Sequence, residues 1–256
     1  MRYKKEYWLI LLFALSLAVV GICFDDPANI LPGLRKIILM QDVLITDYVE
    51  TAGPGAAFIN AALVTVISAG LLYFSGDLPN GFTITEIGLM SGFALFGKNI
   101  FNIWPIFLGT WLYSRIQKEP FSKYVGTALL ATALSPLVSY MAFGSRHAHP
   151  LGGLLMGIII GLILPPLSAY TYKVQNGMNL YNMGFACGML AMMIVPMLDA
   201  VDDSPQTVSY WAEGYNLEFG LVLTVYCLIF IICGLFFSGK PKANTGNCRE
   251  ETEGTL

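Results

Sequence analysis

Gly97-Lys98-Asn99-Ile100-Phe101-Asn102-Ile103 and Gly177-Met178-Asn179-Leu180-Tyr181-Asn182-Met183 repeat one pattern: glycine, any residue, asparagine, aliphatic, aromatic, asparagine, aliphatic. Each copy interrupts a long apolar stretch. Amide side chains are costly in hydrocarbon unless partnered, and a glycine beside two asparagines is a place where a helix can break. Two such breaks at corresponding positions of a chain are a sequence pointer to a solute pathway. Asn99, Asn102, Asn179 and Asn182 could hydrogen-bond a polar solute there, and Lys98 could attract an anion or a carbonyl. A structural reading stands beside this one. The amides would satisfy backbone groups freed at a break or bridge helices. Lys98 would reach to an interface as a topological anchor. Met178 occupies the position of Lys98 in the second copy, so the pattern itself does not require charge.

Other residues offer less. Glu86 stands at the start of the apolar stretch 85–96 and reads as a favourable charge at a helix N-terminus, with proton coupling as its functional alternative. His147 and His149 would need further ligands to hold a metal, and no carboxylate or cysteine lies near them in sequence. Gly157 and Gly161 form a small-xxx-small pair suited to close helix packing. No Ser-x-x-Lys, His-Glu-x-x-His or Gly-x-Ser-x-Gly motif occurs, and no glycine-rich stretch precedes a Lys-Ser/Thr pair. The expectation is therefore a protein that is not an enzyme, with no catalytic residue, no metal and no cofactor.

Composition says what must position these residues. The chain of 256 residues is 55% hydrophobic and only 12% charged, against the roughly 25% charged of a soluble domain. Its mean hydropathy is +0.64. Most side chains must face lipid or other apolar helices, so the lipid bilayer is the expected surrounding. The net charge of -3 is spread thinly, and no basic stripe suggests nucleic acid. The five cysteines show no CxxC pair or disulfide spacing and read as small apolar helix residues.

The expected fold is all-α: a polytopic integral membrane bundle of about seven or eight segments. Residues 1–24 form an uncleaved first span, because Gly21-Ile22-Cys23-Phe24 offers no small-x-small cleavage site. Residues 25–54 form an acidic connector, with a stretch at 30–40 that can lie along the membrane surface. Residues 55–237 form the polytopic domain and 238–256 a polar tail. The stretch 83–116 is unusual. Its halves 85–96 and 101–116 each fall short of the ~20 residues a span needs. They are expected to form a broken or re-entrant helix pair with Lys98 at its apex.

Charge distribution supports that reading. If 83–116 enters and returns on one side, Arg2, Lys4, Lys5, Arg115, Lys118, Lys123, Lys173, Lys240, Lys242 and Arg249 fall on one face. Arg35, Lys36 and Arg146 fall on the other, with most of the acids. The positive-inside tendency then puts the N-terminus in the cytoplasm of a multi-pass cell-membrane protein. It also orients the two asparagine motifs oppositely, as in an inverted repeat. A second resemblance, Leu134-Ser135-Pro136-Leu137 with Leu164-Pro165-Pro166-Leu167, has a different offset, and one duplication cannot produce both.

Ile45-Thr46-Asp47-Tyr48, Gly55-Ala56-Ala57-Phe58-Ile59-Asn60, Gly92-Phe93-Ala94-Leu95-Phe96-Gly97-Lys98-Asn99 and the stretch 177–184 resemble bacterial "domain of unknown function 1576" membrane proteins. The resemblance covers most of 42–198. It implies an integral membrane protein of unknown substrate, built in that family from two related halves, of which this chain is similar to the first. It also implies a homo-oligomer or a second-half partner chain. The functional expectation is a channel or secondary transporter for a small polar or anionic solute, with its site where the Asn99 and Asn179 breaks approach each other. The alternative is a membrane scaffold or assembly subunit without transport.

Overall fold

A computed structural model describes residues 4–42, 46–76, 79–174, 182–203, 205 and 211–237. The described residues are helical, apart from their connecting turns and one isolated antiparallel bridge between Asp47 and Phe96. Six helical stretches are long and apolar enough to cross a membrane: Tyr7–Phe24, Pro54–Ser75, Val125–Gly144, Pro150–Val174, Asn182–Asp199 and Asn216–Phe236. The tail 238–256, and Asn179 with the rest of 175–181, lie outside the described residues.

The chain forms two compact units, Met1–Trp211 and Ala212–Leu256. In the second, α11 (Asn216–Phe237) is a single apolar helix. The first holds the remaining elements. Its α1 (Lys4–Phe24) leads to α2 (Pro27–Leu39), a short helix capped by the Asp26 carboxylate on Ala28 N–H. Next is the single turn α3 (Tyr48–Ala52), capped by Asp47. Gly53, at φ +89°, lets the chain turn directly into Pro54 at the head of α4 (Pro54–Ser75). Helix α1 packs on α4 with Gly21 beside the Gly55 carbonyl and Tyr7 against Tyr73, so the two run antiparallel.

Two short helices follow. Helix α5 (Gly81–Phe93) opens with a capping box between Asn80 and Thr83. Helix α6 (Trp104–Gln117) begins with Pro105 and ends at Lys118, which adopts a left-handed conformation at φ 59°. At 1.5 Å per residue each is about 20 Å long, and neither is among the six long apolar helices. The third long stretch is continuous but irregular: α7 (Val125–Ala131), a 3₁₀ turn, α8 (Ser135–Ser139) and a π turn, Tyr140–Gly144. Pro136 at the start of α8 and the wide π turn account for its bends. Helices α9 (Pro150–Val174) and α10 (Asn182–Asp199) complete the unit.

Contacts fix the direction of each helix. Helix α5 runs alongside and parallel to the third stretch: Gly126 abuts Glu86, Thr132 meets Met90, and Ser135 donates to the Gly97 carbonyl. Helix α6 runs parallel to α9, with Pro105 against Gly157, and Gly109 and Thr110 against Gly161. The third stretch and α9 are themselves antiparallel, Gly153 packing on Ala142 and Gly157 on Val138. The chain therefore reverses direction between α5 and α6. Glycine makes the α6–α9 approach possible, because no side chain stands between the two backbones. Ile106, Leu134, Val138, Ile160, Leu164 and Leu190 form the apolar core around it.

Candidate functional site

The turn joining α5 to α6 is held by amides. Asn99 Oδ1 accepts from the N–H groups of Phe101 (2.9 Å) and Asn102 (3.0 Å). Asn102 Oδ1 accepts from Asn99 N–H at 2.9 Å. Asn102 Nδ2 donates to the Gly97 carbonyl at 2.9 Å, to Ser139 Oγ at 3.0 Å and to Asp42 Oδ2 at 3.1 Å. Asn60, on α4, donates from the other side to the carbonyls of Ala94 (2.7 Å) and Lys98 (2.8 Å). The first asparagine of the motif does not cap α6. Pro105 moves the helix start to Trp104, and the Asn99 carboxamide closes the preceding turn instead.

Asp42 joins this cluster from the connector. It is 1% exposed and accepts from Tyr48 Oη at 3.0 Å, as well as from Asn99 Nδ2 at 3.3 Å and Asn102 Nδ2. Burial pushes its carboxyl up to about 7, although hydrogen bonds from Ser139, Tyr48 and Asn102 pull the other way. A carboxyl raised in the folded state lends stability that is fully present below its ordinary value near 4. That stability is lost as pH rises through about 7. The protein is therefore expected to melt at a lower temperature at pH 8 than at pH 5. Asp42→Asn, which keeps the shape and removes the charge, should shrink that difference. An unchanged difference in a thermal melt of the purified variant would show that Asp42 is not its source.

Lys98 is 3% exposed and turns inward. Its Nζ lies 3.4 Å from Met90 Sδ and 5.1 Å from the centre of the Phe93 ring, and it interacts electrostatically with Cys187 on α10. Among the described residues it has no carboxylate within ion-pair distance. It does not snorkel to an interface.

Asn182, the last asparagine of the second motif, is the first residue of α10, and its Nδ2 donates to the Ser168 carbonyl at 3.0 Å. Its Oδ1 is buried and has no hydrogen-bond partner. Ser168 and Gly157 mark the two motifs along α9, eleven residues or roughly 16 Å apart. Asn99 and Asn102 thus belong to one cluster with Lys98 beside it, and Asn182 lies toward the other end of the bundle. Asn179 falls outside the described residues.

Asn182 opens onto a cavity of about 510 Å³ formed where α5, α7, α9 and α10 begin or end. Asn80, Thr83, Glu86, Thr127, Ser168 and Tyr172 contribute its polar wall. Lys123 stands at its rim, bonded to Glu119 at 2.7 Å. Glu86 is only 2% exposed, so it is part of the interior and not the surface cap that its position at the head of an apolar run suggests. Thr83, Glu86, Met90, Lys98 and Asn102 are all buried, and the Lys98 amine touches the Met90 sulfur. The sequence pattern marks Asn102 and Asn182. It does not mark Asp42 and Ser139, whose partner Asn102 is 60 and 37 residues away along the chain.

No group of three or more metal-ligating side chains occurs among the described residues. His149 Nδ1 accepts from Leu151 N–H at 3.1 Å and helps start α9. The six long apolar helices define a polytopic helical membrane protein. Its sequence matches the family model described as "Protein of unknown function (DUF1576)" over residues 26–200, well over half of the chain, and the protein belongs to that family. No curated protein and no solved structure matches it.

Proposed function

We propose that the protein is a channel or secondary transporter for a small polar or anionic solute, with the cavity between α5, α7, α9 and α10 as its binding chamber. The observation that carries this reading is the chamber itself: a half-open space with Asn, Thr, Glu, Ser and Tyr side chains in its wall, inside a bundle that is otherwise apolar. Cavities and buried ionisable groups are expensive in a membrane bundle and characteristically mark solute or ion paths. Helices α5 and α6 act as one re-entrant pair whose turn, clamped by Asn99, Asn102, Asn60 and Asp42, closes the far side. Lys98 biases the interior toward negative charge. The solute is held by the Asn182 side chain and by the hydroxyls around it. Arg115, Lys118, Lys123 and Lys173 cluster in sequence around the helix ends at the chamber, which makes that end cytoplasmic by the positive-inside tendency.

The scaffold alternative predicts no change in solute content. A metabolite comparison of cells expressing the protein with cells lacking it should show at least one small polar compound altered severalfold. Asn182→Leu should abolish that change while still inserting into the membrane. Asn182 makes one side-chain hydrogen bond, so its loss costs only about 1 kcal/mol of stability. An identified solute that moves equally well in the Asn182→Leu variant would remove this residue from the site. No altered solute at all would favour the scaffold.

A further inference from the structure

Helix α2 has 13 residues, about 20 Å of helix, and is not among the six long apolar helices. Its contacts place it at the end of the bundle where α1 stops and α4 starts. Asp25, just before α2, lies against Gly53 and Gly55. Gly33 lies against the Ala52 carbonyl and against Ala56 in the first turn of α4. The Ile37 carbonyl accepts from Asn99 Nδ2 at 3.2 Å, in the turn that Asn60 of α4 holds. Ala56 and Asn60 stand about 3 and 9 Å along α4 from Pro54. Helix α2 therefore runs across the shallow end of the bundle and does not descend through it. In a bundle that spans a bilayer, that level is the headgroup region and the outermost part of the acyl chains.

One face of α2 is used for this packing, and Gly33 and Ile37 are buried there. The opposite face carries Leu31, Arg35 and Leu39 at four-residue intervals, one stripe along the helix, with Lys36 on its flank. All four are exposed, Leu31 at 75%. Among the described residues neither Arg35 nor Lys36 forms an ion pair. The nearby acids are engaged elsewhere. Asp26 caps α2, Asp47 caps α3, Asp25 holds Asn29, and Asp42 is buried among amides. Glu50, on α3, is exposed and forms no ion pair either. Lys36, in the last turn, also complements the negative end of the helix dipole. The dipole gives no reason for the two exposed leucines on either side of Arg35.

We propose that this face of α2 binds an anionic phospholipid, its headgroup phosphate at Arg35 and Lys36 and its acyl chains against Leu31 and Leu39. The occupant follows from charge and position. It must be negative to answer two cations that the protein leaves unpaired, and apolar next to that charge to cover the leucines. A phospholipid whose headgroup has no amine meets both demands at the level where α2 lies. A zwitterionic lipid carries its own cation beside the phosphate, which competes with the two side chains. The Arg35 guanidinium suits bidentate bonding to phosphate oxygens, and Lys36 adds a point charge. The site is preorganised, because Gly33 and the Ile37 carbonyl hold α2 from behind. Such a site does not depend on what the chamber carries.

The test is native mass spectrometry of the full chain in detergent, titrated with phosphatidylglycerol or with phosphatidylcholine of the same acyl chains. The first phosphatidylglycerol is expected to bind roughly tenfold more tightly than the first phosphatidylcholine. Arg35→Gln combined with Lys36→Gln should remove that preference. Lys173→Gln, which removes a cation at the end of α9, should leave it unchanged. Should the double variant not purify as a single species, each single exchange is expected to lower the preference severalfold. Equal binding of the two lipids to the unsubstituted protein overturns the site. So does a preference that survives in the α2 variants, or one that falls as far in Lys173→Gln. Ammonium phosphate that displaces the bound phosphatidylglycerol at equimolar concentration would reveal a free-phosphate site and overturn the lipid assignment.

Discussion

Replacing Asn102 with leucine is expected to be among the most destabilising single changes in this protein, costing roughly 3 to 5 kcal/mol. Asn102 is completely buried, and its carboxamide is used on both sides. Leucine would strip a donor from the Gly97 carbonyl, from Ser139 Oγ and from the Asp42 carboxylate at once, and remove the acceptor of Asn99 N–H. Each buried polar group left without its partner costs about 1 to 3 kcal/mol, and the group bonded to a carboxylate costs most. The losses do not add fully, because the turn can relax. The expected outcome is a sharp fall in the temperature at which the detergent-purified protein stays monodisperse. Asn182→Leu should shift it only slightly. A leucine variant at Asn102 that melts within a degree or two of the unsubstituted protein would show that the amide network does not hold the α5–α6 turn.

The second large effect lies at Gly161. Substituting alanine there would set a methyl group onto the Ile106 carbonyl oxygen, 2.7 Å from Thr110 N and 2.8 Å from Gly109 Cα. All three neighbours are backbone, so no side chain can swing aside, and α6 must separate from α9. Overpacking of this kind costs about 1 to 3 kcal/mol in a well-packed core. Here the affected contact also fixes the direction of α6. At Gly188, on α10, an added methyl group would meet nothing within 4 Å. Gly188→Ala is expected to be neutral or slightly stabilising, since alanine is the better helix former. Equal melting temperatures for the Gly161→Ala and Gly188→Ala variants would contradict the close α6–α9 approach.

Much of this architecture is legible in the residues. Runs such as Tyr7–Phe24 and Pro150–Val174 are too apolar and too long to be anything but spans or fully buried helices. The break at Gly97 to Asn102 is visible because polar side chains interrupt such a run. The reversal of direction between α5 and α6 leaves a weaker trace, in their short lengths and in the charges on either side. The site is less legible, for physical reasons. An acid at the head of an apolar stretch looks the same whether it caps a helix in water or enters a packed bundle. Only the bare backbone of Gly126 on a neighbouring helix makes room for Glu86 inside. Asp42 reads as one connector acid among several, because its partners Asn99 and Asn102 are supplied by a distant turn. The two asparagine motifs look equivalent in sequence. Asn102 has every polar atom of its side chain engaged, whereas Asn182 keeps a buried carboxamide oxygen without a hydrogen-bond partner. The distinction depends on what each motif meets in space: Ser139 and Asp42 for one, a single carbonyl of α9 for the other.

A solute path requires that the chamber beside Glu86 be open to water inside the membrane domain. Thr127, on its wall, can be changed by Thr127→Cys in a chain whose native cysteines have been replaced by serine or alanine. Leu63, exposed on the apolar face of α4, serves as the lipid-facing control through Leu63→Cys. A charged, membrane-impermeant thiosulfonate added to inside-out membranes should modify the thiol at position 127 within minutes and leave the thiol at position 63 unmodified, because thiols ionise and react only where water reaches them. Modification at position 127 as slow as at position 63 would contradict the chamber, and with it the pathway.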